Sequence, residues 1–317
     1  DLIRKTNMRY VTIAELSDMI RQNLWKIPHD IDLVVGIPRS GLMVANIIAL
    51  YLNKRLSDLD SFIEGRIFAC GENRVSMVST DQVKRVLVVD DSVHSGTALN
   101  KAKRKISHLT EIYSFFYFSP IVTTTGKQSV DAYSETIDDE RIFEWNLFHH
   151  PQINNSCLDL DGVLCKDPII DDDGEQYKNF ILTTPPLFLP TTTIDTIITC
   201  RLEKYRSLTE EWLRQHNIQY NNLIMLNLPT RESRLSWGKH GEYKGDYYKN
   251  SSNNLFSESS SVQAQIIASI SRKPVICIES NKLVLPPPIP THGKKAKRWL
   301  KKKMPNTYLF FKKIANH

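Results

Sequence analysis

The sequence predicts an α/β protein made of two domains, each with an open parallel sheet and helices on both faces, followed by a basic C-terminal tail. Short apolar runs recur along the chain, helix-like segments alternate with them, and a polar, aromatic stretch at 136–155 separates two such series. Apolar runs without alternation are typical of parallel strands, which are buried on both faces and joined by helices. The 317 residues suffice for two domains, since a single core rarely grows beyond about 250 residues.

In the first half, strands are predicted at 33–37 and 86–89, and a helix at 41–52 follows the first strand. In the second half, strands are predicted at 157–160, 194–199, 223–226, 254–256 and 275–277, with helices at 202–216 and 262–270. The expected domains are 1–150 and 151–285, because three consecutive prolines from Pro286 can continue neither a helix nor a strand. Residues 286–317 then form a stiff linker and a tail.

Composition narrows the class of protein. A hydrophobic fraction of 41% with 24% charged residues is typical of a globular protein, and no apolar run is long enough to span a bilayer. Five scattered cysteines without a CxxC pair favour neither a disulfide framework nor a zinc site, so a reducing cytoplasm is expected. The first residues lack the pattern of a secretory signal, and the chain is expected to be either an excised piece or one with its natural start near Met8.

The segment 86–98 carries the most informative motif of the first half. An apolar strand leads to Asp90 and Asp91, and a loop of small residues then opens a helix. Free backbone N–H groups at a helix start can hold a phosphate, while adjacent carboxylates can accept hydrogen bonds from vicinal ribose hydroxyls. The residues alone leave open a simpler alternative, a solvated turn whose acid caps the helix.

This segment resembles the phosphoribosyl pyrophosphate (PRPP) signature of the type I phosphoribosyltransferases, and 36–41 resembles that family's short pyrophosphate loop. The resemblance implies that Asp90 and Asp91 contact the ribose hydroxyls. It further implies PRPP-binding roles for Arg39, Ser40, Gly41, Val93, His94, Ser95, Gly96 and Thr97. Magnesium-bound pyrophosphate would leave C1, a loop at 64–80 would close over PRPP, and a hood at 119–150 would choose an acceptor that the sequence leaves open.

The second half carries two carboxylates, Asp159 and Asp161, at the end of a predicted strand. Their i, i+2 spacing sends both side chains to one side, and Gly162 permits a sharp departure of the chain. Such a pair can bind magnesium, attack phosphorus and move a proton. A calcium loop is the alternative, but the later aspartates do not follow EF-hand spacing.

This pattern resembles the haloacid dehalogenase (HAD) phosphatases. The resemblance implies that Asp159 becomes phosphorylated and that Asp161 is the general acid and base. Thr199 would bind the phosphoryl group, and Lys244, with Lys239 as its rival, would neutralise it. Magnesium would be held by Asp159, Asp161 and Glu258, although the family more often has aspartates at the last position. The short segment between Asp161 and Thr199 predicts a small cap and an open site.

Residues 286–317 carry nine Lys and Arg and no acid, within a chain of net charge +6. Aromatic residues interleave with them, which suggests an anionic membrane surface or a nucleic acid, with a solvated or docked tail as the third possibility. We favour lipid and expect no nucleic acid, because the rest of the chain shows no basic patch.

The pairing resembles the dual-domain ribofuranosyltransferases of bacterial capsule and O-antigen polysaccharide synthesis. In these, a phosphoribosyltransferase domain acts on a glycan and a HAD domain trims the 5-phosphate. The resemblance implies PRPP as donor, a glycan acceptor that can be lipid-linked, Mg²⁺, and a place on the cytoplasmic face of the inner membrane. Two alternatives stay open: a nucleobase-salvage enzyme fused to a nucleotide phosphatase, and a PRPP-sensing regulator of the phosphatase.

Overall fold

The computed structural model describes residues 8–68, 83–169 and 173–288, together with 301–302 and 304–305. Contacts divide the chain into two compact units. The first unit is Val11–Arg141, and the second unit is Asp1–Tyr10 with Ile142–His317. Residues 8–10 thus belong with the C-terminal half, which a division of the sequence into consecutive blocks did not anticipate. The predicted boundary near residue 150 stays a prediction.

The strands from the N-terminus through the first unit are β1 (Met8–Val11), β2 (Leu33–Gly36), β3 (Arg55–Asp58), β4 (Arg85–Val89), β5 (Ser92–Val93), β6 (Ser114–Val122), β7 (Ala132–Thr136) and β8 (Glu140–Phe143). The helices are α1 (Ile13–Asn23), α2 (Ser40–Leu52), α3 (Leu59–Ile63) and α4 (Thr97–Lys105). The main sheet has the order β3-β2-β4-β6-β5, with β7 also on β6, and all of these pairs are parallel. Strands β1 and β8 pair with each other.

The two strands predicted in the first half, 33–37 and 86–89, form as β2 and β4 of the first sheet. Every residue of β2 is buried, and Val86 to Val89 of β4 are fully buried, as expected for central parallel strands. Helix α1 begins with a capping box, in which Thr12 accepts from the Glu15 backbone N–H and Glu15 accepts from that of Thr12. The expected α/β fold with parallel sheets is confirmed.

The expected hood at 119–150 was wrong in its first part. Ser119 to Val122 are the end of β6, which pairs with β5 and β7 inside the sheet. Ile121 and Val122 are fully buried, because this run completes a central strand that also contributes to the core. The proposed closing loop at 64–80 lies outside the described residues from 69 onward.

The strands of the second unit that follow are β9 (Ser156–Leu158), β10 (Ile194–Leu202), β11 (Tyr220–Leu226), β12 (Leu255–Glu258), β13 (Val275–Cys277) and β14 (Lys282–Val284). The helices are α5 (Glu175–Thr183), α6 (Arg206–Gln215), α7 (Arg231–Trp237), α8 (His240–Asn250) and α9 (Ser261–Ser271). The sheet order is β11-β10-β9-β12-β13-β14; β14 is antiparallel and the other pairs are parallel.

The order of the second sheet reverses direction between β9 and β12. In open α/β sheets, ligands bind beyond the carboxyl ends of the strands at such a reversal. The predicted helix at 202–216 begins only at Arg206, since the strand before it runs on to Leu202. Strand β9 is shorter at its end than the predicted strand 157–160. It ends at Leu158, so Asp159 is the first residue beyond it.

Two glycines on one side of α8 allow it to lie close to α9. A Cβ at Gly245 would meet the Ile270 Cβ at 3.1 Å and the Ile267 Cα at 3.3 Å, and one at Gly241 would meet Ile266 at 3.0 Å. Lys244, the residue before Gly245, points to the carboxyl edge of the second sheet.

Residues 286–288 form neither helix nor strand, and of the basic tail only 301–302 and 304–305 lie among the described residues. No helix in the described ranges has the length and apolarity needed to cross a membrane.

Candidate functional site

The first site lies where β2 and β4 end side by side. These strands are parallel neighbours, and Gly36 pairs with Val89, so the segments that follow begin at the same edge. The Ile37 backbone N–H donates to the Val89 carbonyl at 2.9 Å. A Cβ at Gly41 would lie 2.8 Å from that oxygen and 3.0 Å from the Asp90 Cα, so only glycine permits this contact. The two predicted PRPP loops are therefore adjacent.

Within the first of these loops, Arg39 precedes α2 and its side chain is exposed, and Ser40 is the first helical residue. The peptide bond between Pro38 and Arg39 is cis.

Asp90 and Asp91 are both nearly buried, with 8% and 7% of their surface exposed. The Asp91 backbone N–H donates to Asp90 Oδ1 at 3.0 Å. Burial, with the neighbouring charge of Asp91, raises the pKa of Asp90 to about 7. A ligand rich in hydroxyl groups could donate hydrogen bonds to these carboxylates.

The predicted phosphate loop surrounds a small pocket. Gly96 has a φ of 77°, a left-handed conformation that glycine adopts without strain, and α4 begins at the next residue. His94 and Ser95 are exposed, whereas the side chain of Val93 is buried, so Val93 can act only through its backbone. The pocket has a volume of about 260 Å³, and its lining includes Asp90 and residues 92–99.

The predicted phosphate loop also contacts residues 123–126, which were predicted to belong to the hood. Thr123 donates through its hydroxyl to the His94 carbonyl, and its backbone N–H donates to the Val93 carbonyl at 3.0 Å. A Cβ at Gly126 would meet the Val93 carbonyl oxygen at 2.2 Å. No motif in the sequence marks Thr123 or Gly126, because their role depends on β6 lying beside β5.

The second site lies at the reversal point of the second sheet. Asp159 follows β9, Glu258 ends the adjacent strand β12, and Lys244 reaches both from α8. Lys244 Nζ lies 2.6 Å from Asp159 Oδ2, 2.8 Å from Glu258 Oε2 and 3.1 Å from Gln263 Oε1. All three charged groups are buried, with at most 4% exposure.

The pKa values of Asp159 and Lys244 are shifted by burial and by the charges next to them. Desolvation, together with the charge of Glu258, raises the pKa of Asp159, against the opposing effect of Lys244. Burial alone would lower the pKa of Lys244, but Asp159 and Glu258 outweigh it and raise that pKa. We conclude that Lys244 remains a cation between two carboxylates.

Of the two candidate lysines, Lys244 makes the contact with Asp159. Lys239 precedes α8 and its exposed side chain lines a surface groove with Trp237, Tyr247 and Asp246. The predicted Thr199 is buried in β10, and its hydroxyl accepts from the Arg201 backbone N–H at 3.2 Å.

Asp161 is held by Arg201, a residue without an assigned role in sequence reasoning. Arg201 Nε lies 3.0 Å from Asp161 Oδ2, and Nη2 lies 2.6 Å from Oδ1. Gly162 follows with a φ of 76°, which turns the chain away. Gln263 was missed as well, since a partner from α9 carries no motif.

The carboxylates of the second site are the potential ligands for magnesium. The described residues contain no group of three or more His, Cys, Asp or Glu side chains placed to hold a metal ion. Asp159 and Glu258 nevertheless fit a hard divalent cation, because two carboxylates share one ammonium and leave a net negative charge. Both oxygens of Asp161 accept from Arg201, so a metal-binding role for that side chain stays a prediction.

The comparisons bear on the first part of the chain. Residues 3–109, about a third of the sequence, match the family model described as the phosphoribosyl transferase domain. The chain therefore carries a phosphoribosyltransferase-type domain in its N-terminal part, which implies PRPP as a substrate. No curated protein matches the chain.

Similar solved structures include a purine phosphoribosyltransferase from Pyrococcus horikoshii, with 17% identity, a TM-score of 0.33, and coverage of 44% of this chain and 94% of that one. The xanthine-guanine-hypoxanthine phosphoribosyltransferase of Helicobacter pylori has 16% identity and a TM-score of 0.35, covering 44% and 92%. Orotate phosphoribosyltransferase from Aeropyrum pernix has 23% identity and a TM-score of 0.26, covering 37% and 63%.

Proposed function

We propose that the protein is a bifunctional ribofuranosyltransferase of capsule or O-antigen polysaccharide synthesis. It transfers ribosyl 5-phosphate from PRPP to a glycan and then removes the 5-phosphate. The observation that carries the proposal is the presence of one carboxylate site in each unit, each at the carboxyl edge of a parallel sheet. The first suits a phosphorylated sugar, and the second suits phosphoester hydrolysis.

In the first reaction, the protein mainly positions PRPP and balances its charge. Asp90 and Asp91 would accept hydrogen bonds from the ribose hydroxyls, and the backbone of 93–97 would hold the 5-phosphate at the start of α4. Residues 39–41 would face the pyrophosphate. The bond from C1 to pyrophosphate breaks with oxocarbenium character, and its electron pair leaves with pyrophosphate. The acceptor hydroxyl oxygen bonds to C1, and its proton passes to the departing pyrophosphate.

In the second reaction, an oxygen of Asp159 attacks phosphorus and the sugar oxygen leaves with the electron pair and a proton from Asp161. Water then attacks the aspartyl phosphate, its proton passes to Asp161, and phosphate leaves with Asp159 regenerated. Lys244 balances the charge of Asp159 throughout, and Thr199 would bind a phosphoryl oxygen. Magnesium, when bound by Asp159 and Glu258, would neutralise charge on the phosphoryl oxygens.

The chemistry of the two sites supports a sequence of steps in one chain. A ribosyl unit transferred from PRPP still carries its 5-phosphate, and the second site is suited to remove it. The segment between Asp161 and Thr199 provides only the helix α5 and short connections among its described residues, which favours an open site that admits a chain end. With its basic tail, the protein would work peripherally on the cytoplasmic face of the inner membrane, on a lipid-linked glycan.

The test uses the Asp159→Asn protein with PRPP, magnesium and fragments of ribose-containing surface glycans. We expect mass spectrometry to show the gain of one ribose phosphate on a glycan fragment, since transfer proceeds while dephosphorylation is blocked. Wild-type protein should instead add an unphosphorylated ribose. Conversion of a nucleobase in place of a glycan would contradict the proposal and favour a salvage enzyme; no pyrophosphate release with any acceptor would favour a PRPP-sensing regulator.

A further inference from the structure

Arg201 is a buried cation directly behind one of the proposed catalytic carboxylates. It lies on β10, with 1% of its surface exposed, and the Nε–Nη2 edge of its guanidinium faces the Asp161 carboxylate. Nε lies 3.2 Å from Oδ1 and 3.0 Å from Oδ2, and Nη2 lies 2.6 Å from Oδ1. Several hydrogen bonds to one carboxylate leave it a single orientation.

Stability alone is a poor reason for such a pair. A buried ion pair is often worth no more than an apolar pair of the same size, because both charges lose their hydration. Arg201 Nη1 is buried without a hydrogen-bond partner in the described ranges, and Nη2 also meets the Cys165 Sγ, a weak acceptor, at 3.3 Å. The guanidinium is thus incompletely satisfied except where it meets Asp161.

The two side chains of the Arg201–Asp161 ion pair differ in solvent exposure. The Arg201 side chain is 0% exposed, whereas 19% of the Asp161 side chain remains exposed. The carboxylate is therefore fixed from behind by the protein and open in front to water or a ligand. This arrangement suits a group that exchanges a proton with a small molecule.

We propose that Arg201 is a positioning residue for the phosphatase reaction. It holds the Asp161 carboxylate in the orientation that accepts a proton from the attacking water. This inference rests on the proposed function of the second site. In the affected step, the water oxygen bonds to phosphorus, the bond from phosphorus to the Asp159 oxygen breaks, its electron pair returns to Asp159, and the water proton goes to Asp161.

The two half-reactions can be separated with p-nitrophenyl phosphate, whose leaving group needs no proton. Formation of the aspartyl phosphate then depends little on Asp161, but its hydrolysis still depends on it. For Arg201→Ala we expect the steady-state rate to fall about 100-fold, the range of a lost general base. The fraction of protein phosphorylated on Asp159, measured by mass spectrometry after acid quenching, should rise. Added guanidinium should restore part of the rate.

The control is Arg206→Ala. Arg206 is also an arginine paired with carboxylates, Glu203 and Glu210, but it is part-exposed at the start of α6. Its substitution should change neither the rate nor the phosphorylated fraction.

Arg201→Lys keeps the charge but cannot donate two parallel hydrogen bonds from one guanidinium edge. It tests the proposal if Arg201→Ala does not fold. We expect a lower rate with a raised phosphorylated fraction here also. A second check is that Asp161→Asn with Arg201→Ala should be no slower than Asp161→Asn alone.

An unchanged rate, or a lower rate with an unchanged or smaller phosphorylated fraction, would overturn the positioning role. Wild-type protein that hydrolyses no phosphate ester would instead overturn the proposed function of the second unit, and this inference with it.

Discussion

At the scale of the residue, each site depends on carboxylates that the protein buries. Asp90 and Asp159 both have a raised pKa, and desolvation is the main cause in each. The two carboxylates differ in the charges that act on them. Asp159 contacts the cation Lys244, whereas the charge that acts on Asp90 is that of another acid, Asp91. Ionisation of Asp90 is therefore opposed by its surroundings, whereas Asp159 has a cation in direct contact.

Asp90 should make the unliganded protein less stable as pH rises. Its folded-state pKa of about 7 lies above the ordinary value of 3.8, so the folded state binds this proton more tightly than the unfolded state. The stabilisation is complete below about pH 4 and is lost progressively up to about pH 7. Between pH 5 and pH 8, we expect the free energy of unfolding of Asp90→Asn to rise by about 2 kcal/mol relative to that of wild type.

Urea unfolding of both proteins at several pH values measures this difference. Asp30→Asn, at an exposed carboxylate of the same unit, is the control and should not give a gain that grows with pH. A constant difference between wild type and Asp90→Asn would show that Asp90 ionises normally.

Lys244 should be needed for stability as well as for chemistry. Replacement by Met leaves Asp159 and Glu258 as buried carboxylates without their shared cation. Breaking a buried pair in this way costs about 3–5 kcal/mol. Lys249→Met, at an exposed lysine of the same helix, should change the free energy of unfolding by less than about 0.5 kcal/mol. Equal losses in the two variants, measured by thermal or urea unfolding, would contradict the predicted role of Lys244.

At the scale of the element, the position of α8 decides where Lys244 points. The helix lies close to α9 because Gly241 and Gly245 have no side chain at the contact. The same region of the sequence has few apolar residues in helical spacing, so its packing could not be foreseen from periodicity. These small residues therefore allow α8 to pack closely against α9, the helix whose Gln263 contacts Lys244.

Gly245→Val tests this contact. The added side chain would meet Ile267 and Ile270, and overpacking of this kind costs about 1–3 kcal/mol. Displacement of α8 would also separate Lys244 from Asp159, so phosphatase activity should fall about 10-fold or more while transfer from PRPP is kept. Asp246→Ala, at the exposed neighbour, is the control for both measurements. Unchanged hydrolysis in Gly245→Val would show that the close approach is not required.

At the scale of the whole molecule, the two sites lie in different units with their own sheets. Their activities should therefore be separable by single substitutions. Asp91→Ala is expected to abolish transfer from PRPP and to leave hydrolysis of a free phosphate ester intact. Asp159→Asn should do the reverse, and both rates can be measured on the same preparations. Loss of both activities from one substitution, in a protein that still folds by circular dichroism, would exclude two independent sites.

Much of the fold follows from local patterns in the chain. Buried apolar runs predicted β2, β4 and the core strands of the second sheet, and the acids at the ends of these runs predicted where Asp90 and Asp159 would lie. Asp159 was expected within the strand 157–160, whereas β9 ends at Leu158. These predictions are possible because the burial of a strand and the turn of the chain at a glycine depend on only a few neighbouring residues. The assignment of 119–122 to the hood was wrong for the opposite reason. These residues belong to β6 and pair with β5 and β7, and such pairing between strands is not recorded in a local pattern.

The sequence by itself determined the alternation of strands and helices, the two carboxylate motifs, and the order of those motifs along the chain. Only the tertiary structure decided which cationic side chain pairs with which carboxylate. Lys244 reaches Asp159 from 85 residues away and Arg201 reaches Asp161 from 40 residues away. It also decided that Thr123 supports the phosphate loop. These contacts depend on strand order and helix packing, and no periodicity or short motif records which distant side chains a sheet brings together.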